Sequence, residues 1–335
     1  MTVEFFRAEP TARSSWRLAV LMGLNARTYK FALGEALLGA AAEGRTDILL
    51  SDLAEPYAMS LVHHLARAPQ APSGTVVGGS DPLAVAQREA AESVRLGAPT
   101  EELRAVAMKS MPAMVMQKFH NLPGGGEVPH RFYEVTGPAR QRVVRLSDHL
   151  REVALSDQAV SLREELGARW SIVETSFAAE VGRSLIQEGV AVDLETLRIT
   201  DKQRRRPVTG LTASVIGFQH GRCNICADPL IPNIDNVAVD HVFPYSFKRL
   251  IGPAIDLDAI WNLAPAHAAC NLRKSNQPPD RGQLTRLAQR NEAIMQSPHP
   301  LKRTLQITLL RHGFKGAGTG EWFGFIRQVH GLLQS

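Results

Sequence analysis

All three cysteines of this 335-residue chain lie in one segment, from residue 223 to residue 274, together with other side chains that can bind metals. Two residues separate Cys223 from Cys226, and His267 and Cys270 form a second closely spaced pair. Three sulfurs and one imidazole are a donor set that a tetrahedral structural zinc accepts. We therefore expect a structural Zn²⁺ site around which this part of the chain folds.

The second ligand pair begins a run with helical spacing. Four residues fall at positions i, i+3, i+4 and i+7, which share one face of an α-helix: His267, Cys270, Asn271 and Lys274. Asn271 lies about 100° around the helix axis from Cys270. The spacing predicts a helix that presents Cys270 to zinc and Asn271 to a second, neighbouring site.

The residues of that second site resemble the HNH endonuclease family. The matching runs are Val239-Asp240-His241-Val242-Phe243-Pro244, Asn262-Leu263 and Cys270-Asn271-Leu272-Arg273-Lys274. The resemblance implies a ββα-metal fold, with one strand ending in Asp-His, a second beginning near the Asn, and a helix after it. It does not extend to the first 210 residues.

The resemblance also implies a role for each matching residue. His241 would be the general base, Asp240 and Asn271 would bind a catalytic Mg²⁺ or Mn²⁺, and Asn262 would brace the loop. The structural zinc would be held by Cys223, Cys226, His267 and Cys270. The chain departs from the family pattern at Asn271, where the family name has His, and at His267, where Cys is common. Both replacements keep a suitable donor atom.

The reaction implied by the resemblance explains these residue types. Hydrolysis of a phosphodiester requires a deprotonated water and compensation for the charge that builds on the phosphoryl oxygens. Histidine titrates near working pH, so His241 can take the proton. Few protein ligands and several waters are typical of magnesium, whereas a zinc with four protein ligands has no open position for water.

One geometric condition follows from the strand expected at this site. Adjacent side chains of a regular strand point to opposite faces, so Asp240 and His241 reach one site only if the strand breaks there. Pro244 removes a ladder donor and restricts Phe243, which favours the end of the strand at this point.

Other interpretations of the motif remain open. The Cys and His ligands alone are compatible with a zinc-stabilised nucleic-acid-binding module without catalysis. A nuclease acting on RNA is a further alternative, because nothing in the motif reads the 2′-hydroxyl. Lys274 is as compatible with a solvated helix lysine as with a phosphate contact.

Basic residues flank the motif. Ten Lys or Arg stand against three Asp or Glu from Cys270 to Ser335, and Lys202–Arg206 adds four positive charges. This distribution predicts a phosphate-binding surface, with duplex DNA as partner and with these residues as contacts: Lys274, Arg273, Arg204, Arg205 and Arg206. The alternative is that basic helices only form a solvated surface.

Periodicity predicts a mainly α (α+β) chain: a helical domain over residues 1–200, for targeting, dimerisation or autoinhibition, and the HNH domain with covering helices over 201–335. Residues 131–135 and 142–146 fit a hairpin, 157–188 the strongest helix, and 190–200 a strand. Trp170 fits the helical core rather than a base-stacking surface.

No signal peptide or apolar run of roughly 18 residues is evident, which excludes a membrane span. Cysteines all assigned to metal favour a reducing cytoplasm. The layout is similar to free-standing bacterial antiphage HNH effectors, such as the HNH component of Zorya-type defence systems. That resemblance implies an endonuclease or nickase in bacterial restriction or antiphage defence, with a homodimer or partner defence proteins.

Overall fold

The computed structural model describes residues 2–23, 25–76, 78–138, 141–177, 190–193, 198–201, 211–231, 234–252 and 254–334. The described residues are mainly α-helical with small antiparallel sheets, which confirms the predicted fold class at this level. The chain divides into two compact units, Pro10–Gly182 and Met1–Glu9 with Arg183–Ser335. The predicted boundary at residue 200 therefore differs from the division at 182, and the first nine residues belong with the C-terminal unit.

Both units contain several helices. In chain order they are α1 (Thr2–Ala8), α2 (Ala12–Leu21), α3 (Tyr29–Ala42), α4 (Leu50–Leu65), α5 (Pro82–Leu96), α6 (Glu101–Met114), α7 (Asp148–Leu155), α8 (Ala159–Phe177), α9 (Leu211–Phe218), α10 (Lys248–Ile251), α11 (Ala268–Lys274), α12 (Arg281–Gln296), α13 (Leu301–Arg311) and α14 (Glu321–Gly331). None of the described helices is both long enough and apolar enough to cross a bilayer.

The strands form four small sheets among the described residues. They are β1 (Asp47–Leu49), β2 (Asn121–Leu122), β3 (Gly126–Glu127), β4 (Tyr133–Thr136), β5 (Val143–Leu146), β6 (Val190–Asp193), β7 (Arg198–Asp201), β8 (Val237–His241) and β9 (Leu263–His267). One sheet has the order β1-β5-β4, and the others are the pairs β2-β3, β6-β7 and β8-β9. The β4-β5 pair confirms the predicted hairpin.

Side-chain caps explain where several helices of the Pro10–Gly182 unit begin. Thr11, Asp81, Thr100 and Ser147 each accept a hydrogen bond from a backbone N–H of the first turn. Such caps satisfy donors that have no acceptor inside the helix. Asp81 also precedes a proline in the first turn, and these local signals were visible in the sequence.

The core of this unit is built on tryptophan. Trp16 packs edge-on against Phe132 with 5.2 Å between the ring centroids, and Trp170 stacks against Phe31 at 6.0 Å. Trp170 is 1% exposed, which confirms its predicted place in the core. A buried ion pair joins α2 to α8, with Arg17 Nη2 2.8 Å from Glu165 Oε1.

One predicted element differs from the structure, and another is described only in part. The strand expected over 190–200 is two strands, β6 and β7, which pair antiparallel from Val190↔Asp201 to Asp193↔Arg198. Alternation alone does not distinguish one long strand from two paired short ones. The helix expected over 157–188 is observed as α8, and residues 178–188 lie outside the described residues.

The C-terminal unit covers the β8-β9 pair with helices. Trp261, just before β9, packs against Phe325 of α14 with 5.0 Å between ring centroids. A capping box of Asp280 and Gln283 starts α12. Helices α12, α13 and α14 follow the motif, in the region where covering helices are predicted.

Candidate metal centre and adjoining strand–strand–helix site

The candidate site is built on two paired strands and the helix that follows them. In the β8-β9 ladder, Asp240 lies opposite Ala264 and His241 opposite Leu263. Helix α11 begins directly after β9. The ladder fixes the chain at both ends of the candidate site, and the short helix carries the remaining motif residues.

Four potential ligands converge at the far end of this ladder. The donor atoms of Cys223, Cys226, His267 and Cys270 all lie within 4.8 Å of one another. His267 Nδ1 is 3.4 Å from Cys226 Sγ and 3.8 Å from Cys270 Sγ. These four residues, all predicted as ligands, form a group that could hold a metal ion such as zinc.

A tight turn places the first two ligands. The Ala227 N–H donates to the Cys223 carbonyl at 3.0 Å, and Ala227 has a φ of 67°, in the left-handed region. The Ile225 N–H donates to Cys223 Sγ at 3.4 Å. This backbone donor orients the sulfur within the group of potential ligands.

Contacts behind the ligands orient them. The His267 Nε2–H donates to the Pro229 carbonyl at 3.1 Å, which leaves Nδ1 to face the sulfurs. Arg273 donates from Nη2 to Cys270 Sγ at 3.3 Å. Burial by itself raises the pKa of Cys270, but the hydrogen bonds from Arg273 and His267 outweigh it, so the pKa is lowered. The donor set therefore fits a zinc ion.

The structure corrects the predicted position of His267. It is the last residue of β9 and the N-cap of α11, with φ −60° and ψ 136°, and it is paired with Val237 in the ladder. The helix starts one residue later, at Ala268. Ladder pairing holds His267 extended, so the second ligand pair spans a strand end and the first helical turn.

Asp240 is buried at the inner face of β8. It is 2% exposed, and its Oδ1 accepts a hydrogen bond from Lys274 Nζ at 2.8 Å. Its Oδ2 is buried and has no hydrogen-bond partner among the described residues. Burial raises the pKa of Asp240, while Lys274 and His241 act in the opposite direction. A buried carboxylate oxygen without a partner fits a cation ligand.

Lys274 does not face solvent as a phosphate contact would. It is 5% exposed, and its ammonium donates to Asp240 Oδ1 and to the His241 carbonyl, each at 2.8 Å. The turn of α11 that carries Lys274 is packed against β8, where a buried ammonium needs acceptors. The prediction of Lys274 as a nucleic-acid contact is therefore corrected to an internal ion pair.

His241 is the last residue of β8. Ladder pairing continues through Asp240 and His241, so the expected break between the two residues is absent and the strand ends directly after His241. His241 Nε2 is 2.9 Å from Asp258 Oδ1, with side-chain exposures of 21% and 48%. Sequence reasoning missed Asp258; the Asp256-x-Asp258 turn, in which Asp256 Oδ1 accepts from the Asp258 N–H at 3.0 Å, was the available signal.

Asn262 closes the connection between the two strands. Its Oδ1 accepts from the Phe243 N–H at 2.8 Å, and its Nδ2 donates to the carbonyls of Phe243 at 2.9 Å and Leu257 at 2.8 Å. The side chain is fully buried. These contacts fix the loop that carries Asp258 relative to the end of β8.

Arg290 of α12 supports the same loop and was also missed. Its guanidinium donates to the carbonyls of Ile260 at 3.1 Å and Trp261 at 3.0 Å, and to that of Leu263. Burial lowers the pKa of Arg290 to about 9. An isolated arginine in a helix gives no sequence signal for such a role.

Of the remaining predicted residues, two lie on α11 and three fall outside the part of the chain that the structure describes. Asn271 is half-buried on α11, and its side-chain amide has no hydrogen-bond partner among the described residues. Arg273 contacts the Cys270 sulfur rather than standing free. Arg204, Arg205 and Arg206 lie outside the described residues.

Comparison of the chain with family models, with curated proteins and with solved structures found no match in any of the three.

Proposed function

We propose that the C-terminal unit is a metal-dependent nuclease of the HNH type that hydrolyses DNA. The observation that carries the proposal is Asp240, a buried carboxylate with one oxygen unpartnered, at the end of a strand whose last residue is His241. The order of strand, strand and helix beside a four-ligand zinc-type cluster supports it. Zinc with four protein ligands would be a scaffold, not the catalyst.

His241 would be the general base. Its Nε2 faces the Asp258 carboxylate, and an ionised carboxylate only accepts, so this contact favours a proton on Nε2. Nδ1 is then left with a lone pair that can take a proton from water. The water oxygen would attack phosphorus as the phosphorus–oxygen bond to the leaving group breaks.

A second cation would be held by Asp240 and Asn271. Asp240 offers its unpartnered Oδ2, and Asn271 offers an amide oxygen that is not otherwise engaged among the described residues. Two oxygen ligands with water in the remaining positions suit Mg²⁺ or Mn²⁺. When bound, the cation would compensate the charge on the scissile phosphate.

One observation favours a second candidate function, a zinc-stabilised nucleic-acid-binding module without catalysis. The Lys274 ammonium already provides a positive charge to Asp240 at 2.8 Å. A lysine in this position can satisfy the carboxylate without a divalent cation. The two proposals differ in whether Asp240 binds a metal.

Plasmid cleavage tests the nuclease. Purified protein is incubated with supercoiled DNA and Mg²⁺ or Mn²⁺, alongside His241→Ala and the matched control His330→Ala, which alters a half-exposed histidine of α14. We expect relaxed or linear DNA with wild type and the control, and a rate at least about 100-fold lower with His241→Ala, as for loss of a general base.

Parallel reactions on RNA and single-stranded DNA define the substrate class. DNA binding that persists without cleavage under every cation would overturn the nuclease proposal and support the binding module. Equal cleavage by wild type and His241→Ala would show that the activity belongs to another site or to a contaminant.

A further inference from the structure

A cavity with a cationic lining lies in the Pro10–Gly182 unit, between the start of α3 and the end of α6. Its volume is about 580 Å³, within the range of small-molecule sites. Three of its lining residues are cationic, Arg27, Lys30 and Lys118, and none of the described residues that line it is acidic. The charge of the lining therefore suits an anion.

Lys30 is the informative residue of this cavity. It is 8% exposed, and its ammonium has no hydrogen-bond partner and no carboxylate partner among the described residues. The contact that it does make is with the Phe119 ring, whose centroid is 5.5 Å from Nζ. Burial lowers the pKa of Lys30 to about 8. A buried, unpaired ammonium is costly, so its presence in a cavity wall calls for a ligand.

The backbone adds to the positive character of the same wall. Tyr29 and Lys30 are the first two residues of α3, a helix of 14 residues, and both line the cavity. Their N–H groups belong to the first turn, whose donors have no acceptor within the helix. The N-cap Thr28 makes no side-chain cap bond to them. A helix start of this kind attracts anions.

Gly23 leaves room for the ammonium. A Cβ at this position would lie 2.8 Å from Lys30 Nζ and 2.6 Å from the Ala19 carbonyl oxygen. Any side chain here would therefore displace Lys30 from its place. The position of the buried ammonium depends on the local backbone as well as on α3.

The three cations are not equally available. Arg27 is 2.8 Å from Asp81 Oδ2, so its charge is already matched. Lys30 and Lys118 have no carboxylate partner among the described residues. Two unmatched ammonium groups and a helix start favour a dianion over a monocarboxylate. Met114, Val115, Leu122 and Pro123 line the rest of the cavity and suit an apolar body.

We propose that this cavity binds a phosphorylated small molecule, with the phosphate monoester at Lys30 and the start of α3 and an apolar body against the end of α6. The site is independent of the proposed nuclease centre, because its residues belong to the other compact unit.

Titration calorimetry on the full-length protein tests the site, with adenosine monophosphate and inorganic phosphate as probes. We expect both to bind wild type, with the nucleotide tighter. Lys30→Met, which keeps the length of the side chain, should weaken binding at least about tenfold. Lys118→Met should cause a smaller loss, and Lys109→Met, a change of an exposed lysine on α6, should cause none.

The same experiment checks whether the variants are folded and whether the ligand is a small phosphorylated molecule or the phosphorylated end of a nucleic acid. Lys118 is exposed, so its variant reports on binding even if Lys30→Met is poorly folded by circular dichroism. A 5′-phosphorylated oligonucleotide serves as a third probe. The proposal is overturned if neither small probe binds at millimolar concentration, if both lysine variants bind like wild type, or if the oligonucleotide alone binds.

Discussion

At His241, one hydrogen bond to Asp258 sets the orientation of the imidazole. The Nε2–Oδ1 distance is 2.9 Å, and the Asp256 side chain in turn fixes the turn that carries Asp258. A misoriented base loses rate without loss of substrate binding, because the effect arises in the reacting geometry. Asp258 is therefore assigned as a positioning residue for the proposed base.

The Asp258→Ala variant tests this assignment. We expect kcat for plasmid cleavage to fall by about 10- to 100-fold with KM nearly unchanged, because the imidazole loses its orienting partner. Asp148→Ala, at a 92% exposed aspartate in the other unit, is the matched control. A rise in KM with kcat unchanged would place Asp258 in substrate binding instead.

A second residue-scale prediction concerns the stability of the chain near Lys30. Below pH 8 its ammonium is charged in both the folded and the unfolded state, and the folded state bears the full cost of burial. Lys30→Met removes that cost, so we expect the free energy of unfolding to rise by roughly 1–3 kcal/mol at pH 7.

The gain should depend on pH in a defined direction. Between about pH 8, the folded pKa, and the unfolded value of 10.5, the unfolded state binds more protons, so wild-type stability rises with pH. The difference between Lys30→Met and wild type should therefore shrink above pH 8. Urea unfolding at a series of pH values measures it, and a constant difference, or a destabilised variant, would contradict the account of Lys30 as an unpaired buried charge.

Among the elements, the loop between β8 and β9 determines where the motif residues lie. Asn262 makes three hydrogen bonds to this loop, and Arg290 reaches it from α12. Both side chains are buried, so removal of either leaves backbone groups without partners. Such losses cost more than the bond itself contributes.

Asn262→Ala tests the loop brace. It leaves the Phe243 N–H and the Phe243 and Leu257 carbonyls without partners, and we expect a loss of about 2–4 kcal/mol in the free energy of unfolding. Asn271→Ala, which removes an amide with no hydrogen bond among the described residues, should change it by less than about 0.5 kcal/mol. Urea unfolding followed by tryptophan fluorescence, to which the neighbouring Trp261 contributes, measures the two changes. Equal effects of the two variants on the free energy of unfolding would contradict the role of Asn262 in stabilising the loop.

The same elements show what the sequence could and could not predict. The Cys and His spacings led to the four-ligand group, because each pair lies close together in sequence. The burial of Lys274 and the role of Asp258 depend on which faces of β8 and α11 meet, and spacing does not encode that. His267 was misplaced because a ligand pair three residues apart fits a strand end as well as a helix.

For the whole molecule, the two compact units have separate cores and should respond differently to metal removal. Structural zinc in small sites contributes about 10–16 kcal/mol of apparent binding free energy. We expect a strong zinc chelator to unfold the unit that contains Arg183–Ser335 and to leave Pro10–Gly182 folded. Cys226→Ser should have the same effect.

Hydrogen exchange measured peptide by peptide distinguishes the outcomes. Amides of α9 and β9 should lose protection with chelator, whereas those of α3 and α8 should keep it. Loss of protection in both units together would show one cooperative structure. Unchanged protection in α9 and β9 would show that the four-ligand group does not hold a structural metal.

The central claim is that Asp240 binds a divalent cation beside a four-ligand zinc, although Lys274 is already its partner. Electron paramagnetic resonance of Mn²⁺ binding to zinc-loaded protein tests it most directly, with zinc content measured in each sample. We predict one bound Mn²⁺ in wild type, loss of binding in Asp240→Asn with zinc retained, and binding at least as tight in Lys274→Met. No Mn²⁺ bound to wild type, or equal binding by Asp240→Asn, would contradict the claim and leave the zinc-stabilised binding module as the better account.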